Sequence, residues 1–244
     1  MSTDPRSLRV ENYWTARARD FGTVRKNELN DAISGRWLEE FRAELPAGPL
    51  DILDVGTGTG YFAILLSREG HRVTGVDLTP AMIREARETA AQYGVSPVFA
   101  LMDAQALAFP DGCFDAVVTR NLTWTLPSPE TAYAEWFRVL RPGGVLLNFD
   151  ADYAQNVRNR NQKESHTTSS GVYGHIGITP ELSRENAEIT LSMPAAGHVR
   201  PAWDIELLYR AGFAQCSADP SAGRRILRDR DLSDAPLFRI TARK

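Results

Sequence analysis

From residue 50 onward, short apolar runs alternate with stretches whose apolar residues recur at helical spacing. Residues 50–55 read as a buried strand, followed by a glycine-rich turn and an apolar segment at 61–68. Residues 71–77 form the next strand pattern. Thr79-Pro80 then supplies an N-cap and a proline in the first helical turn. Met82, Ile83, Ala86, Ala90 and Tyr93 line one face of the predicted helix, and Gly94 ends it. Strands are predicted at 98–101 and 114–119. Ser128-Pro129 opens a second capped helix carrying Tyr133, Trp136, Phe137 and Leu140, which Arg141-Pro142-Gly143-Gly144 breaks before a fifth strand at 145–149. Strand and helix repeated this way predict an α/β, doubly wound parallel sheet covered on both faces.

After Asp150 the rhythm dissolves. Residues 151–200 are rich in Asn, Ser, Thr and His and hold no sustained period. A stretch of that length is too long for a bare loop, which predicts an inserted cap after strand five with some helix of its own. The rhythm returns with Trp203, Ile205, Leu208 and Tyr209, a helix closed by Gly212, and with strand candidates at 213–218 and 236–242. The chain thus divides into an N-terminal helical lid (1–49), a core (50–150 and 201–244) and a capping insertion (151–200).

Composition changes this picture little. At 244 residues, 43% hydrophobic and 24% charged, the chain has the make-up of a globular protein that needs no staple. Cys113 and Cys216 stand far apart in no metal-like or redox-like pattern and read as incidental thiols of a reducing compartment. The first ten residues hold no apolar leader core and no run is long enough to cross a bilayer, so a cytoplasmic location is expected. Net charge is −3: residues 51–150 carry 7 basic and 12 acidic side chains, and residues 151–244 carry 13 and 11. Neither balance builds a basic face for nucleic acid, and the arginines at 224, 225, 228 and 230 are interrupted by Asp229 and Asp231.

The chemistry concentrates in Leu53-Asp54-Val55-Gly56-Thr57-Gly58-Thr59-Gly60, a strand entering a glycine-rich turn. Ligands of open α/β sheets bind at this carboxyl end of the strands, where glycines let the backbone come close. Asp77, 21 residues after Gly56, ends the second strand, where a carboxylate accepts ribose hydroxyls. A dinucleotide turn needs a third glycine where this chain has Tyr61. Asp54 beside the turn is expected to repel a pyrophosphate and suit a cationic nucleoside. These residues favour such a nucleoside over a nicotinamide cofactor.

Residues 50–150 resemble the core of the class I S-adenosylmethionine-dependent methyltransferases. The resemblance implies a seven-stranded, mostly parallel Rossmann-like sheet whose last strand runs antiparallel beside the fifth. It also implies S-adenosylmethionine as cofactor and methyl transfer to a small molecule, an oxygen or nitrogen acceptor foremost. By the same resemblance Asp54, Gly56, Thr57, Gly58 and Gly60 hold the methionine part, and Asp77 holds the ribose. Leu78 and Met82 flank the adenine, and Asp103-Ala104-Gln105 receive its amino group. Arg120-Asn121-Leu122 pass beneath the cofactor, and Tyr13, within Asn12-Tyr13-Trp14, closes over it.

Acceptor-side candidates come from the insertion. A histidine there can take a proton near neutral pH, which singles out His166 and His175, with His198 also present. Their spacing matches no usual metal-ligand pattern, so no metal is expected. Tyr153 and Tyr173 are candidate substrate contacts. Trp124 either lines the acceptor pocket or packs beneath the helix at 129–140, and Asp150 and Asp152 are expected to face the active-site rim. The expected partner is a small-molecule acceptor, with neither nucleic acid nor membrane, and the protein acts as a monomer or homodimer. A nicotinamide-dependent oxidoreductase and a non-catalytic S-adenosylmethionine-binding protein stand as the alternatives.

Overall fold

A computed structural model describes residues 4–162, 176–228 and 236–244. Two helices come first, α1 (Pro5–Leu29) and α2 (Ala32–Glu44). Asp4 and Asp31 cap them by accepting from the amides of Arg6 (2.8 Å) and Ile33 (3.2 Å). Then follow β1 (Asp51–Val55), α3 (Tyr61–Arg68), β2 (Arg72–Asp77), α4 (Pro80–Gln92), β3 (Val98–Leu101), β4 (Phe114–Arg120), α5 (Pro129–Val139) and β5 (Leu140–Asp150). The chain continues through α6 (Tyr153–Gln162), α7 (Pro180–Ser192), α8 (Ala202–Ala211), β6 (Gln215–Asp219), α9 (Ala222–Leu227) and β7 (Phe238–Arg243).

The seven strands lie in the order β3-β2-β1-β4-β5-β7-β6. β1 to β5 are parallel, and β7 is antiparallel to both β5 and β6, with Asn148 opposite Ile240. This is the doubly wound, mostly parallel sheet expected from the sequence. One boundary differs. Residues 141–144 lie within β5 as an irregularity, not before it: Phe114 pairs with Leu140 and Ala116 already with Val145. Gly143, at φ +77°, lets the backbone loop out there.

Alternation along the strands sends side chains into two cores. On one face Ile52, Val118 and Phe149 meet Trp37 and Phe41 of α2 and Phe62 of α3, with ring centroids 4.9–5.0 Å apart at Trp37–Phe62 and Trp37–Phe149. On the other, Leu53, Val117 and Leu146 meet Tyr133 and Trp136 of α5 and Leu208 of α8. A smaller cluster joins Val10 and Tyr13 of α1 to Trp124 and to Ile189 and Met193 of the insertion. α1 also lies along α4, packing Ala18 onto Ala81 and Met82. The N-terminal helix therefore touches both the carboxyl edge of the sheet and the insertion.

Within 151–200, α7 repeats the start seen at α4 and α5. Thr179 caps it, its side chain accepting from the amide of Leu182 at 3.2 Å, and Pro180 follows. Its apolar face is short, which is why periodicity alone does not reveal it.

Candidate active site at the carboxyl edge of the sheet

The glycine turn connects β1 to α3. Gly56, Gly58 and Gly60 all take positive φ (+67°, +55° and +85°), a region that a side chain bearing Cβ resists. A Cβ on Gly56 would stand 2.8 Å from the Leu122 side chain, and one on Gly60 would press on Phe99 and Ala86. The turn is stitched to β2: the Thr57 amide donates to the Val76 carbonyl and the Gly58 amide to Asp77 Oδ2, both at 2.9 Å.

Asp77 also accepts from the Thr79 amide through Oδ1 at 2.9 Å. The Thr79 hydroxyl and the Leu78 amide add weaker contacts to the same carboxylate. Burial pushes this carboxyl above its ordinary value, against the pull of the two amides. Leu78 is half-buried beside it, while Met82 is sealed beneath Ala18 and packed against Trp14 and Phe21.

Asp54 corrects an expectation. Its carboxylate is 2% exposed and turns into the protein, where Oδ2 accepts from the Thr57 hydroxyl (2.6 Å) and the Ala63 amide (3.1 Å). Burial raises it to about 7. It shapes the turn and ties it to α3, and it presents no exposed negative charge to a ligand.

Asp103 receives both the backbone amide and the side-chain amide of Gln105, at 2.9 and 3.1 Å. The Ala104 carbonyl accepts from Trp136 Nε1, and Gln105 Oε1 from the Ser128 amide. The 103–105 segment is thus anchored to α5 by hydrogen bonds distant in sequence.

At the end of β4, Arg120 turns toward α1 and α2. It donates to Glu28 at 3.1 Å, and its guanidinium lies 4.5 Å over the Trp37 ring. Arg25 pairs with the same Glu28. Burial alone would raise the Glu28 carboxyl, but Arg25 and Arg120 together hold it below its ordinary value. Two guanidinium groups thus share one buried carboxylate, leaving a cation in surplus. Beside them the Tyr61 hydroxyl and Arg120 Nε have no hydrogen-bond partner, and neither do Thr59 Oγ1 and Asn121 Oδ1. Asn121 itself takes φ +55°, a strained value for a side-chain-bearing residue. Unpaired buried polar atoms concentrated beside a glycine cradle mark a place built for a polar ligand.

The acceptor-side candidates fare unevenly. His166, His175 and Tyr173 lie outside the described residues. His198 is exposed and stacks on Trp203 at 4.2 Å. Trp124 packs with Tyr153, Tyr13 and Ile189 rather than beneath α5, and with Asp152, Tyr153 and Thr190 it lines a small cleft. Burial, reinforced by Asp150, pushes the Tyr153 phenol far up, so it keeps its proton and cannot serve as a base near neutral pH. Tyr13 is buried in the same aromatic cluster, and its hydroxyl meets Asn186 and Arg17.

Asp150 does not face the rim. It is fully buried in a network centred on Arg200, which donates to Asp150 (3.2 Å), to both oxygens of Asp204 (2.8 and 2.9 Å) and to the Ala151 carbonyl (3.1 Å). Tyr133 donates to Asp204 at 2.7 Å, and Thr123 bonds Asp150. Apart from the Arg200–Asp204 spacing, nothing in the local sequence near residue 200 signals this network, because its members come from four separate segments.

Residues 53–148 match the model of a methyltransferase domain family. Over 105 residues the chain is 42% identical to demethylmenaquinone methyltransferase of Thermus thermophilus, covering 42% of this chain and 48% of that protein. Over 100 residues it is 44% identical to phosphatidylethanolamine N-methyltransferase of Cereibacter sphaeroides, covering 39% and 48%. The matched stretch spans about half the length of these curated relatives. A solved S-adenosylmethionine-dependent methyltransferase from Mesorhizobium loti shares the fold with a TM-score of 0.59 at 21% identity, covering 86% of this chain and 98% of that one. Residues 53–148 thus match a methyltransferase domain family, and the fold is one that solved methyltransferases share.

Proposed function

We propose that the protein binds S-adenosylmethionine at the carboxyl edge of its sheet and transfers the methyl group to an oxygen or nitrogen atom of a small molecule. The observation that carries this reading is the glycine turn stitched to Asp77, with unpaired buried polar atoms of Thr59, Tyr61 and Asn121 gathered beside it. The residues suit the group. Asp77 takes the ribose hydroxyls, Leu78 one face of the adenine, and the 103–105 segment its polar edge. The surplus cation of Arg25 and Arg120 suits the carboxylate of the methionine part. Tyr61, 4% exposed in the first turn of α3, fills the space where a dinucleotide turn needs glycine, which weighs against a nicotinamide cofactor.

S-adenosylmethionine supplies an activated methyl carbon that an acceptor lone pair displaces in line. The chain's share of the work is alignment and exclusion of water. α1 contributes to both: Phe21 approaches the glycine turn, while Tyr13 packs with Trp124 at the acceptor cleft. The insertion closes the acceptor side and α1 acts with it as a lid, whereas α2, part of the N-terminal lid expected from the sequence, belongs to the core through Trp37 and Phe41.

Thermal denaturation with added ligands tests the assignment. S-adenosylhomocysteine is expected to raise the melting temperature, by roughly 5 °C at a hundredfold excess over Kd, and NAD is expected to leave it unchanged. Stabilisation by NAD alone would assign the turn to a nicotinamide cofactor.

A further inference from the structure

Every other buried guanidinium described above has a carboxylate. Arg25 and Arg120 share Glu28, and Arg200 holds Asp150 and Asp204. Arg17, in the middle of α1, has none among the described residues. Its side chain is among the most deeply buried of the large residues, at 2% exposure. It donates from Nη1 to the Ile176 carbonyl at 2.6 Å and meets the neutral Tyr13 phenol, while its Nε has no partner. The carboxylates of the facing helix are taken: Glu185 and Glu188 on α7 pair with Arg9. A buried, uncompensated cation is expensive, and a fold keeps one chiefly where a ligand supplies the missing charge.

We infer that Arg17 binds an anionic group, a carboxylate or phosphate, carried by the methyl acceptor. This rests on the methyltransferase reading above. Position supports it. Tyr13, Arg17 and Phe21 are four residues apart and share one face of α1. Tyr13 belongs to the aromatic cluster with Trp124, and the Phe21 ring lies 3.6 Å from where a Gly58 Cβ would stand. Arg17 therefore lies on α1 between the Tyr13–Trp124 aromatic cluster and the cofactor turn. The unpartnered, buried Nε edge of its guanidinium has the forked geometry that suits a carboxylate or phosphate. The cofactor's own carboxylate has another cation, the surplus shared by Arg25 and Arg120. This assigns the acceptor to small acids or phosphorylated compounds, in preference to amines without an acidic group.

The test compares the wild type with Arg17→Met, which keeps the aliphatic stem and removes the charge, and with Arg17→Lys. Succinate and inorganic phosphate serve as probes, read by thermal shift against chloride at equal ionic strength, with S-adenosylhomocysteine bound. Succinate or phosphate should raise the wild-type melting temperature by roughly 2–4 °C. Arg17→Met should lose that gain, melt no lower than the wild type without ligand, and bind S-adenosylhomocysteine within about threefold of wild type. Arg17→Lys should keep part of the gain. A drop in the unliganded melting temperature of Arg17→Met, with no anion effect in the wild type, would make Arg17 structural and overturn the proposal. A tenfold or larger loss of S-adenosylhomocysteine affinity, with 5′-methylthioadenosine unaffected, would hand Arg17 to the cofactor's carboxylate and also overturn it. Failure of the wild type to bind S-adenosylhomocysteine at all would instead strike the methyltransferase reading, whatever the anions do.

Discussion

Two buried arginines, one on each side of the carboxyl edge, live in opposite surroundings. Around Arg200 nearly every polar group is matched: two carboxylates, a hydroxyl and a carbonyl accept from one guanidinium, and Tyr133 completes the set. Around Arg17 the matching stops at one carbonyl and a neutral phenol. The first region fastens the end of the insertion to β5 and α8, with its charges balanced inside the protein. The second leaves a balance to be completed from outside. The contrast is one of charge: carboxylates of the protein neutralise the Arg200 guanidinium, and among the described residues none pairs with Arg17.

The largest test of that contrast is Arg200→Met. It strands Asp150 and Asp204 in the core without a counter-charge and should cost about 3–5 kcal/mol of unfolding free energy, measured by urea titration. A loss no greater than that of Arg17→Met would erase the distinction between the two regions.

Next in size is Gly58→Val. A β-branched residue at φ +55° strains the turn and projects toward Phe21, so S-adenosylhomocysteine affinity should fall roughly a hundredfold or more by calorimetry. Wild-type affinity in a folded Gly58→Val protein would remove the turn from the cofactor site.

Asp77→Ala has two consequences. The amides of Gly58 and Thr79 both lose their acceptor, so stability should fall by about 1–3 kcal/mol while cofactor affinity drops with it. Asp77→Asn keeps one acceptor oxygen and sets its NH2 against the other amide, so it should recover only part of the stability. If both variants bind S-adenosylhomocysteine normally, the ribose is held elsewhere.

The smallest effect concerns Asp54, part of the framework despite its place in the glycine motif. Its carboxyl sits at about 7 in the folded protein against an ordinary 3.8. The folded state therefore retains a proton that the unfolded chain releases, so this residue's contribution to stability declines between about pH 4 and pH 7 and is constant above. Asp54→Asn should flatten that slope in unfolding titrations across this window. An unchanged slope would mean that Asp54 is ionised when folded and that its burial is less complete than described.

Much of the framework is legible in the residues themselves. The alternation of strand and helix, the proline starts at Pro80 and Pro129, and Gly212, observed at φ +111°, report local physics that tertiary contacts do not override, although the Thr79 and Ser128 side chains do not cap their helices. The antiparallel β7 beside β5 is legible only through the family resemblance. α7 carries the same Thr-Pro signal at Thr179-Pro180, hidden by a mostly polar helix. Side-chain direction is where the sequence misleads. Asp54 and Asp150 both end or flank strands at the ligand edge, yet each turns inward to partners such as Ala63 and Arg200. Arg17 and Glu28 gain their meaning from segments distant in the chain, Ile176 and Arg120, and spacing along α1 cannot supply that.

The central claim is that the glycine turn, Asp77 and the facing stretch of α1 form one cofactor site. Hydrogen–deuterium exchange with and without saturating S-adenosylhomocysteine tests it most directly. The account predicts slowed exchange confined mainly to residues 54–60, 77–82 and 13–25, with β6 and β7 unchanged. Protection that spares residues 54–60 and 77–82, or that falls instead at the opposite end of the sheet around His71, would contradict it.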